Sequence, residues 1–123
     1  GQLYSKGIYK DGRIDGPSIS YWENGKLWKK GTWKNGFFDG PWVSYYENGE
    51  LHYKGTYKDN VQVGPWVYHW ENGEVMKKGT YKDGRRDGKW VFYKKDGTKR
   101  VSKHESGSDE GSGVYRNGKK VSD

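Results

Sequence analysis

His52, His69 and His104 are the only imidazoles in a chain that has no cysteine. Imidazole nitrogen is a good metal ligand, and His52 and His69 are expected on one face of neighbouring hairpins with Glu47 or Glu71 nearby. A structural or catalytic site needs a third ligand at a matching spacing, and none follows. His69 also occupies the place that other copies of its segment give to Tyr21, Tyr45 and Tyr93, so an aromatic place-holder accounts for it. Asp11, Asp15, Asp39, Asp59, Asp83 and Asp87 sit in glycine-rich stretches. Calcium would require a regular run of oxygen ligands, but the alternation of Asp and Gly is missing and Val63 interrupts the row. Turn formation explains these aspartates. The serines are scattered and none sits in a nucleophile elbow. Glu47 and Glu50 flank an exposed turn, where nothing would move their acidity into the range of acid–base catalysis. The glycines punctuate turns and do not form a phosphate loop ahead of a helix. These residues point to a non-catalytic chain with no metal and no cofactor.

Composition bounds what can hold the chemistry-poor residues in place. Of the 123 residues 30% are hydrophobic and 17% are aromatic, so Trp, Tyr and Phe make up more than half of the apolar content. Large rings must therefore supply most of the buried area. Low hydropathy and 32% charge resemble a disordered composition, but disordered chains are poor in aromatics. The expectation is a folded, thin molecule. Its net charge of +7 comes from 23 basic and 16 acidic residues of interspersed sign, which permits an acidic partner without requiring one.

A repeat organises nearly the whole chain. Residues 7–30, 31–54, 55–78 and 79–102 align in one register, with Gly7, Gly31, Gly55 and Gly79 spaced by 24. Residues 1–6 match the end of a repeat, and a removed leading segment is compatible with that start. Residues 103–112 are a polar stretch, and 113–118 (GVYRNG) match a repeat start, so 103–123 read as a polar insertion plus a partial repeat acting as a C-terminal cap. Each unit holds two turn signals. Asn24-Gly25, Asn48-Gly49, Asn72-Gly73 and Asp96-Gly97 predict two-residue type I′ hairpins. The stretches 11–16, 35–40, 59–64 and 83–88 predict longer loops. Short runs of Val, Tyr, Trp and Thr between them are strand formers, and no sustained helical period is present. The prediction is an all-β chain, an elongated single antiparallel β-meander of tandem 24-residue hairpins. It advances about 10 Å per unit, or about 40 Å for four.

A two-residue turn at Asn48-Gly49 fixes a register: Tyr46 faces Leu51, Ser44 faces Tyr53 and Trp42 faces Gly55. The next unit sets Trp66 against Gly79 and Trp70 against Val75. The fourth would set Trp90 against Lys103, and in the first Ser18 replaces the Trp. Alternation gathers Trp42, Ser44, Tyr46, Leu51, Tyr53, Gly55 and Tyr57 on a packed face, where each indole covers its cross-strand glycine. Trp33, Tyr81 and Trp90 join this aromatic and glycine ladder. The other face carries Val43, Tyr45, His52, Lys54, Thr56 and Lys58. Its rows Tyr21, Tyr45, His69, Tyr93 and Lys34, Lys58, Lys82 form the candidate binding surface.

The recurring pattern of an aromatic, two glycines and a Trp (Tyr81, Gly84, Gly88, Trp90; Trp33, Gly36, Gly40, Trp42; Tyr57, Asn60, Gly64, Trp66) resembles MORN repeats, in their longer bacterial variant. Tyr9, Gly12, Gly16 and Ser18 lack the Trp. The resemblance implies hairpin sheets that act as protein- or lipid-associated scaffolds, and an exported or cell-surface setting in preference to a cytoplasmic one. Some such bacterial proteins are antitoxins.

The leading function is thus a scaffold with a protein partner, in a chain that is a monomer or weak oligomer. An antitoxin or immunity protein is the alternative, as is a carbohydrate- or choline-binding module, where rings from successive hairpins would cage the ligand. Single-stranded nucleic acid could stack on the rings, but the lysine rows are balanced by acids and the rings are engaged in packing. An anionic membrane surface could use the same lysines, without an amphipathic helix to support it.

Overall fold

Strand-forming runs between glycine-marked turns produce a sheet and nothing else in the computed structural model, which describes residues 4–6, 8–100 and 111–122. The strands are β1 (Tyr4–Lys6), β2 (Tyr9–Lys10), β3 (Arg13–Ile14), β4 (Gly16–Tyr21), β5 (Leu27–Lys34), β6 (Phe37–Phe38) and β7 (Gly40–Tyr45). They continue with β8 (Leu51–Lys58), β9 (Val61–His69), β10 (Val75–Lys82), β11 (Arg85–Tyr93), β12 (Lys99–Arg100), β13 (Gly113–Arg116) and β14 (Lys119–Ser122). Neighbours pair antiparallel in chain order from β4 to β11, with β1 on one side and β13–β14 on the other. The ribbon β2–β3 makes strand pairs only with itself and joins the next turn through single bonds, Gly36 N–H to Ile14 O and Asn35 N–H to the Asp15 carboxylate.

The two turns exchange the roles expected of them. Positive φ at both central residues marks Asp11-Gly12, Asn35-Gly36, Asp59-Asn60, Asp83-Gly84 and Asn117-Gly118. These are the two-residue type I′ turns, in the stretches predicted as longer loops. At the Glu-Asn-Gly tips only the glycine is left-handed, as at Gly49 with φ 92°. There Gly49 N–H donates to Tyr46 O at 2.9 Å and Tyr46 N–H to Glu50 O at 2.8 Å, a three-residue loop closed by a bulge. A second irregularity follows, because Ser44 pairs with Tyr53 while Tyr45, not Tyr46, pairs with Leu51. His52 is left over as the bulged residue. Trp28 and Met76 take the same place in the flanking hairpins, and Val75 accordingly faces His69 and not Trp70.

Beyond the bulge the expected register holds: Trp42 pairs with Gly55 and Trp66 with Gly79. The ring that seals each glycine, however, comes from the following repeat. A Cβ on Gly31, Gly55 or Gly79 would fall 2.2, 2.0 or 2.2 Å from the indole of Trp42, Trp66 or Trp90. The cause is a break in the ladder on that side. Between β8 and β9 the register jumps from Lys54↔Val67 to Thr56↔Val63, leaving Gly64-Pro65-Trp66 opposite Gly55. Pro65 has no N–H to offer, so its place at this gap costs no ladder bond. The indole N–H of Trp66 donates to the carbonyls of Thr56 (3.1 Å) and Val63 (3.2 Å), and that of Trp90 to Thr80 O (2.9 Å). In the repeat before, Asp39 N–H already donates to Thr32 O, and the buried Trp42 Nε1 has no partner.

The rings make a zigzag along this face. Trp33, Trp42, Tyr57, Trp66, Tyr81, Trp90 and Tyr115 meet in sequence at centroid distances of 5.8, 6.1, 5.0, 5.9, 4.9 and 6.4 Å, each pair edge to face. Edge-to-face contact puts the positive rim of one ring on the negative face of the next. Trp42, Trp66, Trp90, Phe92 and Tyr115 are buried, while Tyr9, whose repeat has Ser18 in place of Trp, is 71% exposed.

In the fourth unit Trp90 pairs with Gly113, while Lys103, its expected partner, is not among the described residues. Ser112 N–H donates to Arg100 O at 3.1 Å. The Ser112 hydroxyl accepts from Phe92 N–H at 2.8 Å and lies 2.8 Å from Arg100 O. Gly113 and Tyr115 thus stand where a fifth repeat would put its glycine and tyrosine, ten residues late. Residues 101–110, with Lys103 and His104, lie outside the described residues.

Gly55→Ala should lower stability by about 3 kcal/mol, since the added methyl meets a ring held on both sides. In a Trp66→Leu background the same change should cost less than half as much, read from urea midpoints at constant slope. An unchanged loss in that background would show that the indole is not what excludes the side chain.

Candidate interaction surface

Two rows of hydrogen bonds place one repeat on the next. At the tips, Asn24, Asn48 and Asn72 each accept from the backbone N–H two residues on, and each donates from Nδ2 to a carbonyl of the next tip: Glu47 O (3.0 Å), Glu71 O (2.9 Å) and Lys95 O (2.8 Å). Asp96 closes the row. It accepts from Thr98 N–H and from the Thr98 hydroxyl, but a carboxylate has no hydrogen to pass on. The Thr98 hydroxyl bond, then the Thr98 backbone bond, holds its carboxyl below the ordinary value. One position inward, Trp22, Tyr46 and Trp70 donate to Tyr45 O (3.1 Å), His69 O (2.6 Å) and Tyr93 O (3.3 Å). At the opposite turns, Gly36, Asn60, Gly84 and Gly118 N–H donate back to Ile14, Phe38, Gln62 and Arg86 carbonyls at 2.9–3.0 Å. Asn60, the residue that replaces glycine, adds a bond by accepting from Phe38 N–H.

With the repeats fixed, a trough of about 970 Å³ crosses them. Trp42 over Gly31 and Trp66 over Gly55 line it together with Pro17, Pro41, Pro65, Val43, Val67, Thr32 and Thr56, and Lys30, Lys54 and Lys78 stand along it as an exposed cationic row. No carboxylate lines it among the described residues. The rows named from the sequence lie outside this lining. Lys34, Lys58 and Lys82 are exposed where the strands enter the type I′ turns, pairing with Phe37, Val61 and Arg85. Tyr21, Tyr45, His69 and Tyr93 sit half-buried toward the other turns. The lysine row that lines the trough lies four residues before the row singled out, at the end of the preceding unit.

His52 does not share that face. As a bulged residue it turns to the aromatic side, stacked on Tyr46 at 4.2 Å and edge-on to Tyr53 at 5.0 Å. His69 instead places Nδ1 3.1 Å from Gly73 O. The two imidazoles do not converge, and among the described residues no three His, Cys, Asp or Glu side chains are grouped to hold a metal ion. Burial moves the His52 imidazole below its ordinary value, against a smaller opposing pull from Glu71. Burial, then Glu71, raises the Tyr46 hydroxyl. Tyr68 is raised likewise by burial and by its contact with Tyr81, 3.2 Å between hydroxyls, while the Gln62 amide donates to its hydroxyl at 3.0 Å.

Three consecutive segments, 14–35, 38–59 and 62–83, match the family model of the MORN repeat variant, more than half of the chain. Each matched segment runs from a strand through a Glu-Asn-Gly tip and back along the next strand. Repeats of this family are protein- and membrane-interaction modules. No curated protein matches the chain.

Asn48→Asp keeps the acceptor within its own turn and removes the donor to Glu71 O, so it should cost about 1 kcal/mol. Asp96→Asn, at the end of the row, should leave the unfolding midpoint near that of the wild type. Equal effects at the two sites would rule out the amide row as a link between repeats.

His52 yields a pH dependence with a definite sign. Its folded value is below the unfolded 6.5, so the unfolded chain binds the proton first. Its stabilising contribution is whole above pH 6.5 and is lost as pH falls below that. Subtracting the stability of His52→Phe from that of the wild type at each pH should reveal this loss between about pH 7 and 5. A flat difference would contradict it.

Proposed function

We propose that this chain, which belongs to the MORN family in its variant-repeat form, is a non-catalytic scaffold that binds a protein segment along its trough. One observation carries this reading: a continuous apolar channel crosses the repeats, lined by proline, valine and threonine beside Trp42 and Trp66, and edged with one sign of charge by Lys30, Lys54 and Lys78. Prolines and β-branched side chains are already restricted, so little rotamer freedom is lost when a partner covers them. The lysines select acidic residues and steer the encounter more than they add affinity. The partner segment is therefore extended, with apolar residues interspersed with Asp or Glu at a spacing that follows the strands. In this reading the scaffold belongs to an exported or surface-associated protein, a location that cell fractionation would test.

Peptides selected from a random extended library should be enriched in acidic and apolar residues together. Reversing Lys30, Lys54 and Lys78 to Glu should weaken the selected peptides by at least about tenfold, at unchanged thermal midpoint, since the three side chains are exposed. Selection without acidic bias, or binding that survives the reversal, would overturn the trough as the docking site.

A further inference from the structure

The tips bear a second feature, on the ring side, that shares no residue with the trough. The bulge in each hairpin lays a second side chain against the tip aromatic. It pairs Trp22 with Trp28 at 5.3 Å in one repeat and Tyr46 with His52 at 4.2 Å in the next. Consecutive pairs are one repeat apart, about 10 Å along the sheet. Between them opens a slot of about 600 Å³, walled by these four rings and bordered by Glu47 and Glu71. Glu71 lies near enough to act on both Tyr46 and His52.

The repeat itself shows what this position does with a cation. One unit on, Lys95 holds its ammonium over Trp70, 5.4 Å from the ring centroid. Lys95 follows Trp70 by 25 residues, and the same step from Trp22 and Tyr46 reaches Glu47 and Glu71. The next slot, lined by Tyr46, Trp70, Glu71 and Lys95, is thus served by the chain's own ammonium, whereas the first has the rings and carries carboxylates only. Lys29 Nζ lies over Trp28 at 4.2 Å but does not line the slot. We infer that the slot formed by Trp22, Trp28, Tyr46 and His52 binds an external organic cation bearing methylated ammonium, with Glu47 and Glu71 supplying the counter-charge. Ring faces attract such a cation through their quadrupole, and methylation suits walls that present faces instead of hydrogen-bond acceptors. Anions are repelled by the carboxylates. The slot accommodates a trimethylammonium head with a short stem, which a free choline-like molecule or the headgroup of a choline lipid could supply.

The test follows the indole N–H signals of the whole chain by two-dimensional NMR during titration with choline. Trp22 and Trp28 should shift saturably while Trp42, Trp66 and Trp90 stay in place and report an intact fold. The neutral isostere 3,3-dimethylbutan-1-ol should produce no comparable shift. Trp28→Leu should weaken binding about tenfold and Glu71→Gln roughly two- to fivefold. Glu47→Lys, which sets beside Trp22 the ammonium that Lys95 holds over Trp70, should abolish it. Phosphatidylcholine vesicles against phosphatidylglycerol vesicles then separate a lipid headgroup from a free cation as the source. Absence of saturable shifts, equal shifts with the neutral isostere, or undiminished binding by Glu47→Lys would overturn the proposal. None of these outcomes bears on the trough, whose peptides are scored separately.

Discussion

The structure depends on an indole lying flat against backbone that has no side chain. Gly31, Gly55 and Gly79 have ordinary φ, so it is not a left-handed conformation that demands glycine there. The demand is for space, since any Cβ would penetrate the ring of the following repeat. A contact of that kind reaches from one hairpin to the next, and it recurs because the sequence recurs. It explains how a chain with 30% hydrophobic residues can fold. Stability resides in interfaces between neighbours, as in other linear repeats, and not in a central core that must close on itself.

Much of this was legible in the sequence, and its limits are physical. The 24-residue spacing and the strand-forming runs determined the sheet and the pairing of Trp42 with Gly55. Which turn adopted which geometry was less accessible, because Asn-Gly and Asp-Gly serve a type I′ pair and a turn with one left-handed glycine equally well. The tip loop and its bulge together shift the alternation by one residue beyond Ser44, which moves His52 to the ring side. A one-residue slip is the error that period-2 reasoning cannot detect from within. The slot at the tips depends on that slip and could not be read from spacing alone. The trough lysines were missed for a different reason: Lys30 and Lys34 alternate identically, and only the course of the channel separates them.

The ends of the array show how the same contacts stop. Ser18 has no ring to lay on a preceding glycine, and Tyr9 is left in solvent. Lys94 stands where Trp22, Tyr46 and Trp70 donate, and Asp96 where three asparagines donate. The tip rows therefore end in the fourth unit, although the ring zigzag continues to Tyr115. The ten extra residues fall between those two in sequence, after the tip and before Gly113. Tyr115 and Gly113 can then re-enter without disturbing a tip that has nothing further to join. An insertion placed inside the strand pair would break the pairing of Trp90; placed here it lengthens a connection whose two ends, Arg100 and Ser112, are tied together.

A sheet with rings on one side and a trough on the other assigns its two faces different tasks. On the ring side most aromatic area is spent within the molecule, and the bulged tips leave part of it open. On the trough side Pro41 and Pro65 are exposed and Val43 and Val67 half-buried. Because side chains alternate along the strands, a substitution at Val43 or Val67 can be made without altering the ring ladder, although Trp42 and Trp66 border the trough as well. The independence is what a tandem array gains from its thinness: the strand that fastens one repeat to the next with an even-numbered tryptophan presents an odd-numbered valine to the outside one residue later.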